Sequence, residues 1–279
     1  MSNVNFTDLP RSSWLELSRF VSITLAEDRY SDPKCLMRAG RKVYSQTDED
    51  GIIAEIFRRI GPAGKTFIEI GVESGIECNT LWLLIQGWRG AWIEADDASV
   101  NKIRVSHAHW IDKQQLRLLH SRVTAENINA LLFESKLPEE VDFLSIDIDS
   151  NDYWVWKAID RSRPRVICIE YNATWPPPVA LTIKYNPSSA WSRTNYFGAS
   201  LSALSSLGEE KGYSLVGCNL AGANAFFVRK DLVGDMFWKP GDVGAHYEPA
   251  RYFLGALPSG HPGGVGETII TRSSPTARS

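Results

Sequence analysis

The sequence predicts an α/β fold with a seven-stranded, mostly parallel sheet, an antiparallel last strand and helices on both faces. Short apolar, β-branched runs alternate with segments of helical periodicity, which is typical of a parallel sheet covered on both sides. The last two apolar runs are separated only by a turn at residues 220–224 (LAGAN), as in a hairpin. Hydrophobic residues make up 43% of the chain and charged residues 23%, as in ordinary globular proteins.

The first elements are predicted to be helices. Apolar residues recur at helical spacing over residues 13–26, where Ser13 and Glu16 resemble a capping box. Asp32-Pro33 breaks the chain, and a second helix is predicted over residues 48–60, ended by Gly61-Pro62.

Seven strands and five further helices follow in the pattern. The predicted strands cover residues 66–71, 91–96, 116–123, 141–148, 164–172, 213–219 and 225–229. The predicted helices cover residues 78–86, 99–110, 126–135, 152–159 and 200–211.

The pattern divides the chain into a helical cap at residues 1–43, a catalytic domain at 44–240 and a C-terminal extension at 241–279. Residues 173–199 have weak periodicity and three consecutive prolines, and we interpret them as a substrate lid. Trp175 and Trp191 lie in this segment as candidates to line an acceptor pocket. The Gly-, Ser- and Pro-rich end, residues 258–279, is expected to be disordered.

Composition excludes several classes of partner. The net charge is −3 and the pI is near 6.0, so the basic footprint of a nucleic-acid binder is missing. No run approaches the roughly 18 apolar residues of a membrane span. The four cysteines form no CxxC pair, and residues 1–11 lack an apolar secretion signal. We therefore expect reduced thiols and a cytoplasmic location, while the oligomeric state stays open.

Polar residues follow the predicted parallel strands. Because ligands bind beyond the carboxyl ends of such strands, these positions are the candidate site. They are Glu69 and Gly71, then Glu94, then Ser121 and Arg122, then Asp147 and Asp149, and finally Glu170 and Asn172.

The first strand end carries the pattern E-x-G-x-x-x-G, formed by Glu69, Gly71 and Gly75. A dinucleotide site instead requires G-x-G-x-x-G, with a helix N-terminus pointed at a pyrophosphate. Glu73 and Glu77 in this loop would repel a pyrophosphate, which argues against a nucleotide-linked oxidoreductase. An acidic loop suits S-adenosylmethionine (SAM), which has no phosphate and carries a sulfonium cation.

Glu94 ends the second predicted strand. A carboxylate at this position can accept hydrogen bonds from both hydroxyls of a ribose. The alternative is an exposed acidic residue at a strand end. Together with the glycine loop, Glu94 favours the ribose role.

The loop from Glu69 to Gly75, Glu94 and the strand order resemble Rossmann-like class I SAM-dependent methyltransferases. Within that class, the chain resembles the FkbM-like family over roughly residues 44–232. The matching segments are residues 44–52 (YSQTDEDGI), 141–150 (VDFLSIDIDS), 198–201 (GASL) and 224–232 (NAFFVRKDL). The resemblance implies methyl transfer onto a small-molecule acceptor, often a hydroxyl of a sugar or natural product.

The same resemblance implies further donor contacts. Ser45 and Gln46 would bind the methionine end of SAM, although Thr47 or Asp48 there also suits a helix N-cap. Ser121 and Arg122 would flank the adenine, although an Arg there can equally face solvent.

Asp147, Asp149, Glu170 and Asn172 are candidate ligands of Mg²⁺, which prefers oxygen ligands. They resemble the cation site of catechol-type O-methyltransferases, with two departures. Glu-Tyr-Asn replaces an adjacent Asp-Asn pair, and Ser150 stands where that pattern has a lysine. The alternatives are that these groups cap helices, bind the SAM amino group or bind acceptor hydroxyls directly.

Asp147, Asp149 and His246 are the candidate catalytic residues, with Asp149 or His246 as general base. Three further functions remain consistent with the sequence. They are a binding protein of the same fold without catalysis, an N-methyltransferase and a C-methyltransferase.

Overall fold

The computed structural model describes residues 11–256, and its centre is one seven-stranded sheet. The strand order is β3-β2-β1-β4-β5-β7-β6, and β7 runs antiparallel to both of its neighbours. The strands are β1 (Thr66–Ile70), β2 (Arg89–Glu94), β3 (Leu116–His120), β4 (Phe143–Ile146), β5 (Val166–Glu170), β6 (Tyr213–Cys218) and β7 (Asn224–Arg229). This confirms the predicted fold, a Rossmann-like sheet with an antiparallel last strand.

Helices cover both faces of the sheet. They are α1 (Arg11–Leu25), α2 (Glu49–Ile60), α3 (Leu81–Ile85), α4 (Asp97–Ser106), α5 (Ala108–Asp112), α6 (Ile128–Glu134), α7 (Asp152–Ala158), α8 (Leu201–Glu210), α9 (Lys230–Val233) and α10 (Val243–His246). Short 3₁₀ helices lie at Asp28–Tyr30, Leu36–Ala39 and Tyr252–Ala256.

Two apolar layers sandwich the sheet. One layer packs Leu131 of α6, Trp156 of α7 and Leu204 of α8 against alternate strand residues. The other packs Ile56 of α2 and Leu84 of α3 against the opposite face. The β-branched strands predicted from the sequence are therefore buried on both sides, and they hold their carboxyl ends in fixed positions.

Three of the elements that differ from prediction show how single residues change the bounds of an element. Strand β2 stops at Glu94, and Asp96 caps α4 by accepting a hydrogen bond from the Ser99 amide at 2.8 Å. The helix predicted over residues 99–110 is two helices, which meet at the buried His107. Helix α3 begins late because the Asn79 and Thr80 amides bind the Glu69 carboxylate.

Two segments, residues 173–199 and helix α1, lie outside the sheet. Residues 173–199 contain no helix, and one isolated bridge within the segment pairs Thr182 with Ala199. The segment contacts the body through hydrogen bonds such as that from the Gly198 amide to the Ser150 carbonyl at 3.0 Å. Helix α1 packs Leu17 and Val21 onto a small cluster that includes Tyr30. The expected disordered end, residues 258–279, lies outside the described residues. No helix within residues 11–256 is long and apolar enough to span a membrane.

Candidate active site

A cavity of 590 Å³ lies at the carboxyl ends of β1, β2, β4 and β5. Its lining includes most of the predicted site, namely Gln46, Glu69, Gly71, Glu73, Glu94, Ser121, Arg122, Asp147, Asp149 and Glu170. The strand ends converge there because parallel strands present their carboxyl ends at one edge. Trp191 of the 173–199 segment also lines the cavity, whereas Trp175 does not.

The turn after β1 requires its two glycines. Gly71 has φ +80°, and a Cβ added there would lie 1.7 Å from the Asp147 carbonyl oxygen. Gly75 has φ +71°, and its added Cβ would lie 2.7 Å from the Trp92 ring. Both positions favour glycine, because only glycine adopts positive φ freely and leaves space for the neighbour. Gly75 itself shapes the turn and does not line the cavity.

Glu94 holds this turn against the end of β2. Its Oε2 accepts a hydrogen bond from the Glu73 amide at 2.8 Å, and its Oε1 accepts from the Ala95 and Asp96 amides, both at 2.8 Å. A carboxylate has about four lone-pair positions, so one on Oε2 remains for a ligand. The structure thus places Glu94 both in the cavity wall and in the support of the loop.

Glu69 supports the loop from below. Its Oε1 accepts from the Asn79 amide at 2.8 Å, and its Oε2 accepts from the Thr80 amide at 3.0 Å and from the Thr80 hydroxyl at 2.5 Å. Burial raises the pKa of Glu69 to about 7. Glu69 reaches the cavity lining, but its oxygens are engaged by the start of α3, so we interpret it as a positioning residue.

Asp147, Asp149 and Glu170 form a carboxylate cluster, with one oxygen of each within 4.8 Å of the others. Burial, together with the charges of neighbouring acids, raises the pKa of Asp147 and of Glu170 well above the usual range. Asp149 lies in a turn at φ +55°, and burial also raises its pKa. Asp152 shapes that turn by accepting hydrogen bonds from the Ile148 and Ser150 amides.

Such a cluster can bind a cation or accept a proton. One oxygen of the cluster, Oε2 of Glu170, is buried and has no hydrogen-bond partner among the described residues. The donor set and this unpartnered oxygen fit a hard divalent cation.

Besides Gly75, three predicted site residues lie outside the cavity lining, and Asn172 is the most informative. Its Nδ2 donates to the carbonyls of Asn195 at 2.8 Å and Phe197 at 3.0 Å, and its Oδ1 accepts from the Thr174 amide. The amide folds the 173–199 segment back onto β5 and is not part of the cavity lining. The structure brings together the other three predicted metal ligands, Asp147, Asp149 and Glu170.

His246 and Ser45 are the other two. His246 is buried against Trp238, and its Nε2 lies 3.0 Å from the Lys239 carbonyl. Burial lowers the pKa of His246 to about 4, so it is neutral and outside the cavity lining. The Ser45 hydroxyl donates to Asp50 at 2.8 Å and also lies outside that lining. The structure thus does not bring His246 or Ser45 into the cavity wall with the other predicted site residues.

Glu49 and Asn224 are two of the cavity-wall residues that the sequence patterns missed. Glu49 starts α2 and is almost fully buried, and Asn224 starts β7 and donates from Nδ2 to Glu49 at 3.1 Å. Asn224 begins one of the segments that resemble the FkbM-like family, but that resemblance assigned it no role. Only the pairing of β7 with β5 brings Asn224 to this edge.

Comparison with known proteins finds similarity in solved structures only. No protein-family model matches the chain, and no curated protein matches it. A candidate O-methyltransferase from Klebsiella pneumoniae is 18% identical, with 77% of this chain and 96% of that chain covered and a TM-score of 0.44.

Two further structures are similar in the same way. The O-methyltransferase from Bacillus cereus in complex with S-adenosylhomocysteine is 17% identical, covering 81% of this chain and 92% of that one, with a TM-score of 0.37. TomG from Streptomyces achromogenes, an O-methyltransferase involved in tomaymycin synthesis and bound to SAM, is 14% identical, covering 78% and 97%, with a TM-score of 0.40. The fold and the cavity define a Rossmann-like α/β protein with an acidic cavity at the carboxyl ends of its parallel strands.

Proposed function

We propose that the protein transfers a methyl group from SAM to a hydroxyl of a small acceptor, such as a sugar or natural product. One observation carries the proposal. The Gly71 turn and Glu94, where a donor would bind, and the Asp147–Asp149–Glu170 cluster, where an acceptor would bind, line a single cavity. A methyl donor and an acceptor can therefore meet within one cavity, as group transfer requires.

The donor half suits SAM in charge. Glu94 keeps an acceptor position on Oε2 for a ribose hydroxyl, and Gln46, which also lines the cavity, would bind the methionine end. Ser121 and Arg122 would flank the adenine. Glu73 adds negative charge, which attracts a sulfonium and repels a pyrophosphate.

The acceptor half supplies a base. The acceptor oxygen attacks the methyl carbon, and the carbon–sulfur bond breaks with its electron pair moving to sulfur, which leaves neutral S-adenosylhomocysteine. The hydroxyl proton passes to the Asp149 carboxylate. The pKa of Asp149 is raised by burial, which brings a carboxylate closer to the pKa that suits a base near neutral pH.

Asp147, Asp149 and Glu170 would also hold a divalent cation such as Mg²⁺. When bound, the cation would lower the pKa of the acceptor hydroxyl. If it is required, EDTA abolishes turnover and Mg²⁺ restores it, whereas full activity in EDTA would remove the cation from the proposal.

Calorimetric titration with S-adenosylhomocysteine tests the donor site. We expect binding, and we expect Glu94→Ala to weaken it by roughly tenfold or more, because a charged hydrogen bond and the loop support are lost. Glu134→Ala, an exposed glutamate on α6, is the matched control. No binding by the wild type would refute the function. Binding without release of S-adenosylhomocysteine in the presence of SAM and polyhydroxylated acceptors would favour a non-catalytic binding protein.

A further inference from the structure

Two buried oxygen atoms without hydrogen-bond partners among the described residues belong to side chains of residues that are paired between β5 and β7. Glu170 ends β5, Asn224 begins β7, and the two residues are directly paired in the antiparallel register. Glu170 Oε2 and Asn224 Oδ1 are both buried without a hydrogen-bond partner among the described residues. Side chains of paired residues lie on the same face, with Cβ atoms about 4.5–5.5 Å apart. Both residues line the cavity.

The orientation of the Asn224 amide follows from its contact with Glu49. Glu49 accepts hydrogen bonds from the Thr47 amide and hydroxyl, from Asn219 Nδ2 and from Asn224 Nδ2. Turning the Asn224 amide over would place two acceptor oxygens against each other, which is unfavourable. Oδ1 therefore faces away from Glu49, although Asn224 is only 4% exposed. Such an atom costs free energy unless a ligand supplies a donor.

The surrounding charge indicates what kind of donor is needed. Among the described residues that line the cavity, one, Arg122, is basic and eight are acidic. The acidic residues are Glu49, Glu69, Glu73, Glu77, Glu94, Asp147, Asp149 and Glu170. An ammonium group carries three N–H donors, a positive charge and no acceptor. It can serve both unpartnered oxygens at once, whereas a single hydroxyl donates only one hydrogen bond.

We propose that Glu170 and Asn224 form a subsite for a protonated primary amine. The inference rests on the proposed function, which offers two sources of that group. One source is the α-ammonium at the amino-acid end of the methyl donor. The other is an amine on the acceptor, which would then be an amino sugar or a similar amino alcohol.

The first experiment tests the donor as the source. S-Adenosylhomocysteine and 5′-methylthioadenosine, which lacks the amino-acid end, are titrated into the wild type, Asn224→Leu and Glu170→Gln. We expect both variants to weaken S-adenosylhomocysteine by about tenfold or more and to leave 5′-methylthioadenosine unchanged. Glu134→Gln is the control, since Glu134 is an exposed glutamate on α6 outside the cavity lining. Glu170→Gln keeps the test open if Asn224→Leu does not fold.

If the variants change the affinities for both nucleosides equally, a second experiment tests the acceptor as the source of the amine. Glucosamine and glucose are titrated into protein saturated with S-adenosylhomocysteine. The wild type should bind the amino sugar about tenfold more tightly, and both variants should lose that preference. The proposal is wrong if the variants change neither the affinity for S-adenosylhomocysteine relative to 5′-methylthioadenosine nor the preference for glucosamine over glucose. It is also wrong if the variants change only the affinity for Mg²⁺. If the wild type binds no nucleoside, the proposed function fails, and the same titration of glucosamine and glucose into the ligand-free protein decides the subsite.

Discussion

Asp149 combines backbone strain with charge repulsion. It has φ +55°, and its charge helps to raise the pKa of Glu73, which has φ +48°. Left-handed backbone costs a residue with a side chain about 1–2 kcal/mol. Strained residues of this kind persist where function requires the geometry. Both face the acidic cavity, which supports a functional role for this turn.

Replacing Asp149 should change stability and activity in opposite directions. Asn tolerates left-handed backbone, so Asp149→Asn keeps the turn and removes one charge from the cluster with Asp147 and Glu170. We expect a higher melting temperature, by roughly 2–4 °C for each kcal/mol of relieved repulsion. We expect turnover to fall by about 10²-fold or more, since a general base is lost. Calorimetry measures the melting temperature and an S-adenosylhomocysteine release assay measures turnover, with Glu134→Gln as control. Unchanged turnover would exclude Asp149 as the base.

The sequence predicts part of the site at the level of residues. Gly71 and Glu94 carry local signals, because a strand-to-helix turn and a strand end are set by nearby residues. The sequence predicts Asn172 as a site residue, but the structure places Asn224 in the cavity wall. No local feature of the sequence indicates this difference. It depends on the 173–199 segment folding over Asn172 and on β7 pairing with β5, and both are contacts between distant parts of the chain.

Among the elements, the turn after β1 has the clearest steric requirement for glycine. Gly71 and Gly87 both have positive φ, at +80° and +84°, but a Cβ at Gly87 would meet nothing within 4 Å. Gly87→Ala should therefore lower the free energy of unfolding by only about 1–2 kcal/mol.

Gly71→Ala should cost several kcal/mol, roughly the 3–5 kcal/mol of severe substitutions, because its Cβ would overlap the Asp147 carbonyl oxygen and push β1 from β4. Urea unfolding of the two variants compares the losses directly. Equal losses would show that the turn can move away from β4.

Whole elements are easier to predict than their ends. The seven strands follow from apolar periodicity and β-branched residues, because burial on both faces constrains every position of a strand. The ends depend on single hydrogen bonds that periodicity does not reveal. Glu69 takes the amides that would have started α3 earlier, and the buried His107 divides the helix after β2.

At the scale of the molecule, buried titratable groups set how stability depends on pH. Burial raises the pKa of Asp48, Glu69 and Asp152 to about 7, from ordinary values of 3.8 to 4.5. Their contribution to stability is full below about pH 4 and is lost as the pH rises through about 7. Burial lowers the pKa of His107 and His246 from 6.5 to about 4, so their contribution is lost as the pH falls.

The carboxyl groups should dominate this balance in the ligand-free protein. Between pH 5 and pH 6 the folded chain holds three extra protons on Asp48, Glu69 and Asp152, while unfolding adds at most two on the histidines. Stability rises with pH only where the unfolded state binds more protons, so the melting temperature should fall from pH 5 to pH 7. Scanning calorimetry in EDTA measures the slope. Asp48→Asn keeps an acceptor for the Leu220 amide and removes one titrating group, so it should flatten the slope. A melting temperature that rises over this range would show that these carboxyl groups are ionised in the folded protein.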